Sequence, residues 1–293
     1  MSPAASRLTR ARVRRRKVKF FPTMHTNASP NLPQIIPLWP AGRTPLATAE
    51  DGVLPRLTYY LPSDEFRTGQ SILILPGGGY SMVSTPKEGH RPAQLFASHG
   101  IAAAVLEYRH APSRHPVPLL DAQRAMRQLR QLALTHGLRT DRVGVMGFSA
   151  GGHLAGTVAT QAAHPAGLVG DALDNIAAHA DLAILIYPVV SLVEPWSHFG
   201  SRDNLLGIPA DLSLARQLSI EKAVTAHTPP MFITHEQFDK AVPSANSLAL
   251  YAALTAQNVA ATLLVTEGAT HGSGLGPNLP WGAALLDWLA SHR

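Results

Sequence analysis

From about residue 33 the chain alternates short, apolar runs with longer stretches in which apolar residues recur every three or four positions. The short runs fall at 57–61, 71–75, 101–108, 143–146, 182–187, 231–234 and 261–266, and each predicts a strand. Ser71-Ile72-Leu73-Ile74-Leu75 is apolar enough to be buried on both faces. Between these runs, 91–99 reads as a helix that stops at Gly100. The clearest helix covers 119–135, where Leu119, Ala122, Ala125, Met126, Leu129, Leu132 and Ala133 form one broad apolar face with Arg124, Arg127 and Arg130 beside it. Strands this apolar, spaced by helices, predict an α/β fold with a mostly parallel sheet covered by helices on both faces. The connection from 188 to 230 contains no strand signal. It either walls a pocket at the sheet edge, as an insertion over 191–229, or is a peripheral helix pair with Trp196 as packing.

Composition narrows the function classes. A chain of 293 residues with 45% hydrophobic and 15% charged residues can bury a large core in one domain. No run of about 18 apolar residues occurs, so no membrane span is expected. The absence of cysteine excludes disulfides, thiolate catalysis and cysteine-ligated metal sites.

The net charge of +6 suggests an acidic partner until its placement is considered. Arg7, Arg10, Arg12, Arg14, Arg15, Arg16, Lys17 and Lys19 supply eight positive charges before residue 23, and removing them leaves −2 for the rest. The basic character therefore belongs to an extension over 1–32 that has the composition of a disordered tail, and the domain proper is expected over 33–293. Only Phe20-Phe21-Pro22 follows the basic run, too short for the apolar core of a secretory signal. Neither a nucleic-acid nor a membrane partner is expected, and a cytoplasmic location is the default expectation. Nothing in the sequence sets an oligomeric state.

Candidate chemistry concentrates in Gly147-Phe148-Ser149-Ala150-Gly151, which spells G-x-S-x-G where an apolar strand gives way to a small-residue helix. A serine on such a turn has its hydroxyl exposed at the carboxyl edge of the sheet, with the Ala150 amide aimed where an oxyanion forms. A serine N-cap followed by packing glycines has the same spelling, so the rest of the chain must supply a base and an acid. After the strand at 231–234 come Glu236 and Asp239, two candidate acids. After the strand at 261–266 comes the glycine-rich segment holding His271, which occupies the position a base needs. Pro76-Gly77-Gly78-Gly79-Tyr80 follows a buried strand upstream, and the Gly78 and Gly79 amides are candidate oxyanion donors. Tyr80, Trp196, His198 and Arg202 are the candidate substrate contacts. No metal or organic cofactor is required by this chemistry.

From near Ile36 to the C-terminus the chain resembles the α/β-hydrolase esterases related to bacterial acetyl xylan esterases and bifunctional feruloyl/acetyl esterases. The resemblance rests chiefly on Val145-Met146-Gly147-Phe148-Ser149-Ala150-Gly151-Gly152-His153-Leu154-Ala155, with Leu75 to Tyr80, Glu88-Gly89, Tyr108-Arg109, His115-Pro116, Asp121 to Ala125 and Thr228-Pro229-Pro230 in support. It implies the α/β-hydrolase fold, Ser149 as nucleophile, His271 as base and, of the two carboxylates, Asp239 as acid. It also implies a small-molecule or oligosaccharide ester as substrate, acetylated xylo-oligosaccharides among them. Relatives tend to carry an acidic pair where this chain has Phe238-Asp239, so one carboxylate of that pair remains. Two other readings stay open: a broad carboxylesterase acting on small aryl or alkyl esters, and a silent hydrolase fold used for binding. Glu88, His90, Tyr108, Arg109 and Asp121 are read mainly as structural, with Glu88 and His90 near enough in pattern to line the pocket.

Overall fold

A computed structural model describes residues 32–51, 54–274 and 281–292. The basic extension expected before residue 33 lies, but for Leu32, outside the described residues. Among the described residues eight strands form one sheet: β1 (Gln34–Pro37), β2 (Arg56–Tyr60), β3 (Ser71–Leu75), β4 (Ala102–Glu107), β5 (Val143–Phe148), β6 (Ala183–Ile186), β7 (Met231–Glu236) and β8 (Ala261–Thr266). Their spatial order is β1-β2-β4-β3-β5-β6-β7-β8. β2 runs antiparallel to both β1 and β4, and every pairing from β4 onward to β8 is parallel.

The helices that cover the sheet are α1 (Arg91–Ser98), α2 (Val117–Thr135), α3 (Ser149–Thr160), α4 (Phe199–Leu206), α5 (Leu212–Gln217), α6 (Ile220–Ala223), α7 (Ala245–Ala256) and α8 (Gly282–Ser291). Because successive strand side chains point to opposite faces, β3 feeds both layers. Leu73 and Leu75 pack with residues of α2, α3 and α7, whereas Ile72 and Ile74 pack with residues of α1 and α8. All four are at most 1% exposed. Burial of each contributes about 1.5–3 kcal/mol, which is why this strand is apolar throughout.

Two elements depart from the sequence pattern. β1 was not expected: it is four residues long, mostly exposed, and ends in Pro37, which an edge strand tolerates because its outer N–H groups face no partner. The arginines placed beside the apolar face of α2 are themselves buried. Arg124 and Arg130 are 3% and 7% exposed and bind Asp171 and Asp181, while Arg127 donates to the Ile176 carbonyl, so the three tie the 165–181 excursion onto the helix. The segment from 188 to 230 contains no strand and is built around α4, α5 and α6.

The connectivity locates the site. From β3 the chain moves through α1 to β4 on one side and then returns through α2 to β5 on the other. The carboxyl ends of β3 and β5 therefore border the crevice at which strand order reverses, where open α/β sheets bind ligands. The Pro76–Tyr80 loop leaves one of these ends and Ser149 leaves the other. No helix among the described residues is long and apolar enough to cross a membrane.

Candidate active site

Ser149 sits at φ +52°, a left-handed conformation that a non-glycine residue rarely adopts. The turn is enforced by its neighbours. A side chain at Gly147 would overlap the Gly151 carbonyl, and one at Gly151 would overlap the carbonyls of Leu75 and Pro76. Gly151→Ala is therefore expected to lower stability by about 3 kcal/mol or more, because backbone rather than a flexible side chain must move. An unchanged urea midpoint would show that α3 is not seated against the end of β3.

Ser149 Oγ lies 2.8 Å from His271 Nε2, and His271 Nδ1 lies 2.6 Å from Asp239 Oδ2. A carboxylate can only accept, so Nδ1 carries the proton and Nε2 presents its lone pair to the serine. Asp239 has a fully buried side chain, while that of His271 is 23% exposed. The other carboxylate oxygen, Oδ1, accepts from the amides of Ala241 and Val242 at 2.9 and 3.0 Å. Burial alone would raise the Asp239 carboxyl, but hydrogen bonds from His235, His271 and the Val242 amide outweigh it and hold the group well below the usual carboxylate range. Glu236, the rival acid, accepts instead from the Thr270 amide at 2.5 Å and props the loop that carries His271.

On the opposite side of Ser149, the carbonyls of Gly77, Gly78 and Gly79 are all engaged. They accept from the Ser84 amide, from the Ser81 and Met82 amides, and from Asn204 Nδ2, respectively. The amides of Gly78, Gly79 and Ala150 donate to no acceptor among the described residues. Gly78 and Gly79 have φ of +136° and +64°, and a side chain at Gly78 would overlap the Met82 carbonyl. The loop passes close to Ser149: a Cβ added at Gly77 would sit 3.0 Å from Ser149 Cβ. With the three carbonyls occupied, the amides of Gly78, Gly79 and Ala150 are the backbone groups left to receive an oxyanion.

The four candidate substrate contacts separate. Tyr80 is 1% exposed, and its hydroxyl donates to His153 Nδ1 at 2.8 Å, while His153 Nε2 donates to the Leu218 carbonyl. Burial lowers the His153 imidazole to about 4, so the pair stays neutral and Tyr80 serves as packing beneath the glycine loop, not as an open contact. Arg202 is held by Asp203 at 2.8 Å and lies over the Phe199 ring. Trp196 is half-buried and its carbonyl accepts from Asn246 Nδ2. His198 is half-buried at the N-cap of α4, where Nδ1 accepts from the Ser201 amide, so its proton is on Nε2. Burial, and then the nearby His271, lower its imidazole, with Asp239 opposing, which puts His198 within electrostatic reach of the Ser149–His271–Asp239 chain.

Three buried groups around this chain had weaker sequence signals. His235 donates from Nε2 to the Val242 carbonyl at 2.8 Å and stands 3.5 Å from Asp239 Oδ2. A histidine closing an apolar strand just ahead of the candidate acid was its only mark. Tyr187 follows β6 at φ +38°, with its ring centroid 4.9 Å from that of His271. Glu88, 4% exposed, accepts from the Gly77 amide.

Residues 57–254 match the family model BD-FAE. The chain belongs to the BD-FAE family. Its fold is that of the α/β-hydrolases, and a crystal structure of an acetyl ester-xyloside bifunctional hydrolase from Caldicellulosiruptor lactoaceticus superposes with a TM-score of 0.82 at 34% identity, covering 91% of this chain and 98% of that one. A propionate-bound thermophilic esterase, Est2 of Thermogutta terrifontis, matches with a TM-score of 0.70 at 25% identity over 89% and 94% of the two chains. Among curated relatives, an acetylxylan esterase of Xylanibacter ruminicola is 32% identical over 254 residues, which is 84% of this chain and 50% of that protein. The chain spans about half the length, or less, of the curated relatives first matched.

Proposed function

We propose that this BD-FAE member hydrolyses short-chain acyl esters, acetyl esters foremost, by two-step acyl transfer. His271 Nε2 takes the Ser149 proton as Oγ bonds to the ester carbonyl carbon, and the carbonyl oxygen becomes the oxyanion received by the Gly78, Gly79 and Ala150 amides. The imidazolium then gives its proton to the departing alcohol as the C–O bond breaks and the acyl-serine forms. Water repeats the sequence, releasing the carboxylic acid and restoring the serine. Asp239 holds the imidazole in the tautomer that faces Nε2 to the serine. The observation that carries this reading is the continuous chain from Ser149 Oγ through His271 to Asp239, at 2.8 and 2.6 Å, opposite unclaimed loop amides.

The favoured alcohol is a sugar, xylo-oligosaccharides in particular. Support comes from relatives described as an acetylxylan esterase and an acetyl ester-xyloside bifunctional hydrolase, and from His198, whose Nε2–H is a neutral donor suited to a sugar hydroxyl. The second reading, a broad esterase of small aryl or alkyl esters, is favoured by the likeness to the propionate-bound Est2. Comparison of kcat/KM for acetylated xylose and xylo-oligosaccharides with that for 4-nitrophenyl acetate and butyrate separates the two. The sugar esters are expected to lead by at least about tenfold, since a site that hydrogen-bonds a hydroxyl discriminates against ligands lacking it. Equal values would remove the carbohydrate assignment.

A further inference from the structure

A buried carboxylate, Glu88, lies beneath the site, and among the described residues no lysine or arginine pairs with it. Glu88 belongs to the Pro86–His90 turn, and both of its oxygens accept from neutral donors: Oε2 from the Gly77 amide at 2.8 Å and Oε1 from the Tyr187 hydroxyl at 2.7 Å. The direction of the second bond is fixed. The Tyr187 oxygen already accepts from the Gly274 amide at 2.8 Å, so its single proton goes to Glu88. Two loops that never touch in sequence are thereby joined: the glycine loop at Gly77 and the histidine loop at Gly274. Tyr187 also sets its ring edge against His271, and a Cβ added at Gly272 would come within 3.9 Å of Glu88 Oε1.

We propose that Glu88 and Tyr187 are positioning residues, a clasp that fixes the oxyanion loop relative to the His271 loop. The inference rests on the reading of Ser149 as nucleophile and His271 as base. Loops carry the donors and the base, and each loop alone could shift by the ångström that costs a large factor in rate, whereas a shared buried anchor makes their separation a property of the core. Tyr187 keeps its proton throughout, because burial and then the adjacent Glu88 push its phenol far above the ordinary value.

Glu88→Gln removes the charge and leaves an amide that cannot accept at both atoms. Tyr187→Phe leaves the charge and the ring and removes the link to Gly274. The test compares both variants with the wild-type chain in steady-state kinetics on 4-nitrophenyl acetate, alongside thermal melts and the hydrogen exchange of the Gly77 and Gly274 amides followed by NMR. Glu88→Gln is expected to speed exchange at one or both of these amides at least about tenfold and to lower kcat about tenfold with KM within twofold, because one carboxamide cannot accept from both loops. Tyr187→Phe is expected to speed exchange at Gly274 and to lower kcat about fivefold with KM within twofold. Loss of activity only in proportion to unfolded protein, or exchange at both amides unchanged in both variants, overturns the clasp. Exchange is read without turnover, so an inactive wild-type chain would sink the esterase reading while still deciding this one.

Discussion

Ser149→Ala is expected to lower kcat on any ester the protein hydrolyses by about 10⁴ to 10⁶, the range found when a serine nucleophile is removed from a triad. The substitution is unusually clean here. Alanine keeps the Cβ that already occupies the left-handed turn at φ +52°, so the backbone strain is the same in both proteins. The carbonyl of residue 149, which accepts from the Val189 amide, is untouched. Only the Oγ contact to His271 is lost, and that imidazole is partly open to water, which can replace the hydroxyl. A melting temperature close to wild type with no turnover is the expected pair of results. An organophosphonate should add its mass to the Ser149 peptide of the wild-type chain and to no peptide of the variant. If the variant retained more than about a tenth of the activity, the nucleophile would have to be sought elsewhere and the acyl-enzyme abandoned.

The same turn shows what the sequence could reveal. Gly147 and Gly151 are required by backbone contacts at fixed offsets from Ser149, so the spelling of the pentapeptide carries the geometry. Strand ends pointed to His271 and to both Glu236 and Asp239, because parallel strands deliver their ends to one edge, and the family resemblance favoured Asp239 of the two carboxylates. β1 was not, because an exposed edge strand needs no apolar face. Nor was the state of Tyr80. Position beside the glycine loop suggests a pocket residue, yet whether its ring turns toward substrate or toward His153 is decided by a helix 70 residues further on. Glu88 and Tyr187 are the extreme case: they lie 99 residues apart and their significance exists only as a contact between two loops. The burial of the α2 arginines is a further case, because the acids that bind Arg124 and Arg130 lie in the distant 171–181 segment. Local geometry and strand ends are written along the chain, and partnerships between distant polar groups are not.

Asp239→Asn is expected to lower kcat by about 10⁴ at neutral pH, and the structure supplies the reason. The Ala241 and Val242 amides both donate to Oδ1, so in the variant the carboxamide oxygen must stay at that position and the NH₂ group must take the place of Oδ2. That group, 2.6 Å from His271 Nδ1, is a donor. It forces Nδ1 to accept, which moves the ring proton to Nε2 and leaves nothing to receive the Ser149 proton. Stability should change with pH in a definite sense. The native Asp239 carboxyl is held below its unfolded value near 3.8, so its contribution is complete above about pH 4 to 5 and is lost as pH falls through the native value. Wild type should therefore melt above the variant at pH 7, and the gap should shrink as the pH is taken below 4. Glu236→Gln makes the contrast, because that side chain receives the Thr270 amide and an amide oxygen can do the same, so kcat should stay within about tenfold of wild type. Steady-state kinetics on 4-nitrophenyl acetate decides between the two carboxylates: a severe loss in Glu236→Gln with Asp239→Asn near wild type would transfer the acid's role to Glu236.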